Sequence, residues 1–253
     1  MAQLEGHQAD ILAITAHPDD VELHIAGTVM KAIGQGHRVA ICDLTAGERG
    51  SRGSRELRAK ETAAANSILG IEEGFRWNLG IPDGNIALSQ ENILSVVRTI
   101  RHFRPQVILF PWEKDRHPDH EAAHRIVHHA YFDAGLVAVA SQHEGIPQTP
   151  HRPARMFMFD HSWEGTPDIV VDVSPFIERK LDALAAYGSQ FSIPGRTTED
   201  PSYGPQTFIS GNDFMEYYLA RMRRLGFQIG VQYGEGFVSW GGPVKVDDLL
   251  ATV

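Results

Sequence analysis

The sequence has one cysteine, no long apolar run and no surplus of basic residues. Cys42 is the only cysteine among 253 residues, so neither a disulfide framework nor a cysteine zinc site can form within one chain. It lies in the apolar run Val39 to Cys42, where a small buried side chain explains it better than a nucleophile does. No apolar stretch approaches the roughly 18 to 20 residues of a membrane span, and the opening residues lack the basic start and apolar core of a secretory signal. A cytoplasmic chain with no membrane partner is the expectation. The formal net charge of -9 argues against a nucleic-acid partner, because such binders carry a basic face. A small-molecule ligand is the better default.

Against these absences stands a chain long enough to bury a substantial core, with apolar β-rich runs alternating with helix-period segments. Strands are predicted at about Asp10 to Thr15, Arg38 to Leu44, Phe75 to Asn78 and Val107 to Phe110. Helices between them cover Val21 to Ile33, Arg55 to Leu69 and Glu91 to Phe103, stopped by Gly34, Gly70 and Pro105. A further helix should run from His120 to about Ala134. Such alternation implies one α/β, Rossmann-like domain over residues 1–253, with a mostly parallel, doubly wound sheet and helices on both faces. The second half is less regular. It holds strands at Arg155 to Phe159 and Ile169 to Val173, helices near Pro175 to Tyr187 and Asp213 to Leu225, and a Pro/Gly/Ser-rich loop from Phe191 to Gly211. That part of the chain is expected to cover the site.

Thirteen histidines are many, but position has to decide what they do. The first strand ends in AlaHisProAspAspValGlu (Ala16 to Glu22), and the fourth leads into AspArgHisProAspHis (Asp115 to His120). In a doubly wound sheet those two strands are commonly neighbours at the switch point, so both corners should face one cleft beyond the strand ends. Pro18 and Pro118 fit the first turn of a helix at each corner. His17 and Asp20 can then converge on one ion while His120 arrives from the other side. Two imidazoles, one carboxylate and an open position describe a catalytic zinc, although iron(II) or cobalt would fit as well. Asp19, beside the ligand Asp20, is placed to act as general base and acid. His117, if protonated, could donate to an oxyanion, with Asp119 orienting and charging it. AspAsp at a strand end also suits a plain helix N-cap; two complementary HisProAsp motifs at facing corners are hard to explain by capping. His124 and His128 share a helical face with His120 but step away from the strand ends at ~1.5 Å per residue.

Arg49, Arg52, Arg55 and Arg58 recur every third residue after the second strand. They could form an exposed face paired with glutamates. Part of that loop should nevertheless line the cleft, where arginine clamps carboxylates; Arg116 is a second anion-binding candidate.

On these motifs, and on Thr45 to Gly50, Glu56 to Arg58, Asn78 to Gly84, Tyr187 to Phe191 and Tyr233 to Phe237, the sequence resembles the LmbE-like (PIG-L) family of zinc N-acetylglucosaminide deacetylases. Among its branches it looks most like the bacillithiol biosynthesis deacetylases, which act on N-acetylglucosaminyl malate. The resemblance implies one zinc per chain on His17, Asp20 and His120, with Asp19 as base and His117 with Asp119 as oxyanion partner. It further implies Arg58 and Arg116 as substrate contacts, an amino-sugar substrate with a carboxylate-bearing aglycone, and a homo-oligomer such as a trimer or hexamer. One departure is Phe214, which stands where some relatives place an oxyanion tyrosine; Tyr217, Tyr218 and Tyr203 are the possible substitutes. The alternative reading is a metal-dependent hydratase of an unsaturated dicarboxylic acid on the same scaffold. A dinucleotide-binding module is disfavoured, because the turn after the first strand lacks its glycines.

Overall fold

The computed structural model describes residues 7–159 and 166–245. The first half follows the expected alternation: β1 (Ile11–Thr15), α1 (Asp20–His24), α2 (Ala26–Gly34), β2 (Val39–Asp43), α3 (Arg55–Leu69), β3 (Arg76–Asn78), α4 (Gln90–Phe103), β4 (Val107–Pro111) and α5 (Pro118–Ala134). A short hairpin, β5 (Gln142–His143) and β6 (Ile146–Pro147), precedes β7 (Arg155–Phe159), β8 (Ile169–Asp172), α6 (Ile177–Ala185), α7 (Asn212–Gln228) and β9 (Gly234–Ser239).

Seven strands form one sheet in the order β3-β2-β1-β4-β7-β9-β8. β3, β2, β1, β4 and β7 run parallel, whereas β9 is antiparallel to both of its neighbours. Alternation along β1 sorts the core. Leu12 and Ile14 face the cluster built with Val96, Ile100, Ile126 and Val127 of α4 and α5, while Ala13 faces Val21, Ile25 and Val29 of α1 and α2 on the opposite side. Each is fully buried, and burial of a Leu or Ile side chain contributes roughly 1.5–3 kcal/mol.

Three differences from the sequence reading stand out. The helix expected over residues 21–33 is broken at Ile25 (φ -135°, ψ 13°). Its second piece starts on the carboxylate of Glu235 from β9, which accepts the amides of Gly27 (2.9 Å) and Thr28 (2.7 Å) and is itself paired with buried Lys180 at 2.6 Å. Free amides at a helix start need such an acceptor, and here it comes from the far end of the chain. Second, Pro118 does open α5, but Pro18 lies ahead of the cap of α1, which is Asp19. Third, β9 is a strand where the sequence pattern predicts none.

Candidate active site

β1 and β4 are adjacent and parallel, so the segments that leave their C-terminal ends meet. They line a cleft of about 640 Å³ together with residues of the loops after β2 and β3, of the segment 190–209 and of α7. On the first corner the tight turn is held by the His17 amide, which donates to Asp20 Oδ2 at 2.9 Å. Asp19 sits in left-handed backbone (φ 101°), a conformation that costs a non-glycine residue of order 1–3 kcal/mol and persists only where surroundings impose it. It is imposed by Arg58, whose Nη1 donates to Asp19 Oδ2 at 3.0 Å and to the Pro18 carbonyl at 2.8 Å. The Asp19 side chain makes no capping bond to α1, so simple helix capping does not account for this carboxylate. Beneath the corner, Arg76 joins Glu22 (2.6 Å) and Asp43 (2.8 Å) in a buried network that braces the ends of α1 and β2.

On the second corner His117 is the cap of α5 and accepts the amide of Asp119 on Nδ1 at 3.2 Å. The expected pairing of the Asp119 carboxylate with the His117 ring is not what this geometry holds. That carboxylate instead accepts the Gly84 amide at 2.7 Å and faces His17 Nε2 at 3.3 Å. With Nδ1 engaged as an acceptor, a neutral His117 carries its proton on Nε2. Burial and the neighbouring His17 and His120 imidazoles hold its pKa below the usual value, against the opposing pull of Asp119 and Asp20.

The side chains expected to bind metal stand side by side. Asp20 lies between the imidazoles, 3.8 Å from His17 Nδ1 through Oδ2 and 3.5 Å from His120 Nε2 through Oδ1. These gaps are long for hydrogen bonds. They approach the roughly 3.3–3.6 Å that separates two ligands sharing one tetrahedral zinc. The other nitrogen of each ring meets a carboxylate: His17 Nε2 faces Asp83 (3.2 Å) and Asp119, and His120 Nδ1 faces Asp115 at 3.1 Å. That is how metal-binding histidines are usually held. Two tighter sets, His17 with His117 and His120, and His17 with Asp83 and Asp119, each bring three ligand atoms within 4.8 Å of one another. Neither is the expected trio, so the corner is richer in ligand atoms than the sequence suggested.

Its electrostatics call for positive charge. Burial alone would lower the His17 imidazole, but hydrogen bonds to Asp119 and Asp83 and the charge of Asp20 outweigh it and raise its pKa to about 10. His120 is likewise depressed by burial yet raised by Asp20 and Asp115 to about 9. Asp19 is pushed up to about 7, by burial above all and by Asp20, against the pull of Arg58. Asp83 stays well below the ordinary carboxylate range despite its burial, because His17 and the Arg49 amide bond to it.

Of the arginines, Arg49 and Arg58 line the cleft and so does Arg116, whose guanidinium lies 4.9 Å over the Phe208 ring. Arg52 does not. It is buried and ties two loops together through the Ser189 carbonyl (2.7 Å) and Glu199 (3.2 Å). Phe214 lines the cleft beside Tyr217; Tyr218 does too, but its hydroxyl donates to the Leu23 carbonyl at 2.7 Å, and Tyr203 lies outside the lining. Tyr217 and Tyr218 are thus the two of the three that line the cleft. His124 is bonded to the Pro111 carbonyl at 3.0 Å and stacked on Phe110. Sequence reasoning missed Asp83 and Gln190, which carry no ligand spacing; both fall in segments whose only signal is the family resemblance.

Residues 12–131 match the PIG-L model, described as GlcNAc-PI de-N-acetylase. The diacetylchitobiose deacetylase of Thermococcus kodakarensis is 30% identical over 192 residues, which cover 72% of this chain and 70% of that protein. A probable N-acetyl-alpha-D-glucosaminyl L-malate deacetylase of Bacillus anthracis is 28% identical, covering 74% and 83%. Among solved structures, a conserved protein of Thermus thermophilus superposes with a TM-score of 0.80 at 37% identity, covering 95% of this chain and 98% of that one.

Proposed function

The chain belongs to the PIG-L family of de-N-acetylases, and from that premise we propose that it hydrolyses the acetamide of an N-acetylglucosaminide with the help of one bound divalent cation. It is an amidohydrolase of N-acetylglucosamine-type substrates. Zinc as the cation, and N-acetylglucosaminyl malate as substrate, are the finer reading. The observation that carries the proposal is Asp20 set between His17 (3.8 Å) and His120 (3.5 Å), near the separation of ligands that share one ion, with Asp19 next in the chain. His17, Asp20 and His120 would hold the cation, which when bound supplies Lewis acidity for the carbonyl and eases deprotonation of water.

The chain's own groups then divide the work. Asp19, anchored by Arg58, takes the proton of the attacking water on its free carboxylate oxygen and returns it to the departing amine. His117 donates from Nε2 to the oxygen that gains charge, without needing to be a cation. Arg116 stands at the rim of the cleft, where a carboxylate on the aglycone would meet it. Malate fits that contact, and the similarity to the malate deacetylase supports it.

Incubation with N-acetylglucosaminyl malate should release acetate and a primary amine in equal amounts, and a chelator should stop the release. Acetate release from simpler N-acetylglucosaminides but not from the malate conjugate would keep the deacetylase and discard the malate. Inertness towards all of them, with hydration of an unsaturated dicarboxylic acid, would replace the proposal by the alternative.

A second expected result concerns protons. In the absence of a cation, His17 and His120 hold protons up to about 10 and about 9, so a cation must displace them. Binding near pH 7 should release about two protons per ion, and affinity should rise with pH up to that range. Calorimetry in buffers of different ionisation enthalpy checks this. A heat of binding that is independent of buffer would show that the two imidazoles are already neutral before the cation arrives.

A further inference from the structure

We propose that Phe208 is a specificity-determining residue: its ring, supported by Phe214, holds the Arg116 guanidinium at the rim of the cleft and readies it to clamp a carboxylate on the aglycone. This rests on the deacetylase reading and adds the residue that makes the enzyme prefer acidic aglycones to neutral ones. Nothing in the sequence pattern singles out Phe208, which falls in the Pro/Gly/Ser-rich segment 191–211.

Phe208 lines the cleft and is 58% exposed. It stands on a closed turn, in which the Thr207 amide donates to Ser210 Oγ at 2.8 Å and the Ser210 amide to the Thr207 carbonyl at 3.3 Å. Its ring pairs edge-to-face with Phe214, at 5.8 Å between centroids and 69° between planes, a favourable aromatic geometry. Phe214 in turn lies nearly parallel to Phe191 and Tyr218, each at 6.3 Å. Both of those rings are buried, and Tyr218 is bonded to the Leu23 carbonyl. A ladder of rings thus runs from the interior to the rim, and it gives the phenylalanine at 214 a use that needs no hydroxyl.

At the outer end of the ladder the Arg116 guanidinium carbon lies 4.9 Å from the Phe208 centroid, inside the ~6 Å reach of a cation–π contact. Among the described residues nothing accepts its N–H groups. The neighbouring carboxylate does not neutralise it, because Asp115 is engaged with the His117 amide at 2.8 Å and with His120 at 3.1 Å. An exposed arginine without support spreads over many rotamers, and a ligand must order it before binding. A ring face restricts the guanidinium while taking none of its in-plane donors, so the fork stays open for two parallel bonds to a carboxylate. A neutral aglycone has no such group to offer and gains nothing from the fork.

The test measures kcat/KM for N-acetylglucosaminyl malate and for methyl N-acetylglucosaminide, with cation bound, on the wild type, Phe208→Leu, Phe208→Tyr, Arg116→Gln and the double variant Phe208→Leu/Arg116→Gln. The readout is the ratio of the two values, the preference for the acidic aglycone. Arg116→Gln should lower that preference by roughly tenfold or more, the scale of hydrogen bonds to a charged partner. Phe208→Leu keeps apolar bulk and loses the π face; it should lower the preference by about two- to fivefold, the worth of one exposed cation–π contact, through KM rather than kcat. Phe208→Tyr should keep the preference, and Phe208→Leu should add nothing once Arg116 is replaced. A merely structural role for Phe208 would lower both substrates alike and leave the preference unmoved, which refutes the clamp, as does an undiminished effect of Phe208→Leu in the Arg116→Gln background. A wild type that turns over both substrates equally well would also refute it and leave the deacetylase standing. No turnover of either substrate by the wild type would overturn the deacetylase reading as well.

Discussion

Asp19→Asn should leave metal content unchanged and lower turnover by at least ~10²-fold, the usual scale for loss of a general base. Asparagine is the informative replacement. It tolerates the left-handed backbone at this position better than alanine and keeps an oxygen for Arg58, which would otherwise be a buried cation stripped of its partner. Asp19→Ala should be at least as inactive, with added loss of stability. The wild type should also lose activity on acidification, as the Asp19 carboxylate takes up a proton at or below about 7. A bound cation favours the ionised form and can only move that limb lower. Metal analysis beside an acetate assay decides the matter: full turnover in Asp19→Asn would remove this residue from the proton-transfer role.

His120→Ala should abolish both metal binding and acetate release, beyond the ~10 to 100-fold that loss of an outer partner costs. His120 meets Asp20 on Nε2 and Asp115 on Nδ1, so removing it takes away a ligand and leaves two carboxylates facing each other without a counter-charge. Asp115→Asn is the graded control, expected to weaken metal affinity within that 10 to 100-fold range and leave the fold intact. An active His120→Ala enzyme with full metal content would transfer the ligand role to His117, which the tighter histidine set also allows.

The sequence revealed most where structure is decided locally. The parallel strands β1, β2, β4 and β7 are buried apolar runs that the sequence pattern places to within a residue or two; α3 ends at the expected stop, left-handed Gly70, and the structure adds Ser54 at its start, whose hydroxyl accepts the Leu57 amide. Features decided at a distance were not legible. The helical pattern runs unbroken through Ile25, and the break comes from Glu235, which lies 208 residues from Gly27. β9, with its two glycines, has little strand propensity of its own and is made a strand by β7 and β8 on either side. The two HisProAsp corners could be placed in one cleft from strand order alone. Which carboxylate each imidazole meets depended on the loop carrying Asp83, and no spacing in the sequence points to that loop.

The position of β9 also bears on how the molecule is made. The strand that emerges late from the ribosome inserts into the interior of the sheet, between β7 and β8, and brings the acceptor for the amides of α2. Until it arrives β8 has no strand to pair with among the described residues, and the first amides of α2 lack their carboxylate acceptor. Chains halted before Gly234 should therefore be open to proteases and inert, although every residue assigned to the chemistry is already present.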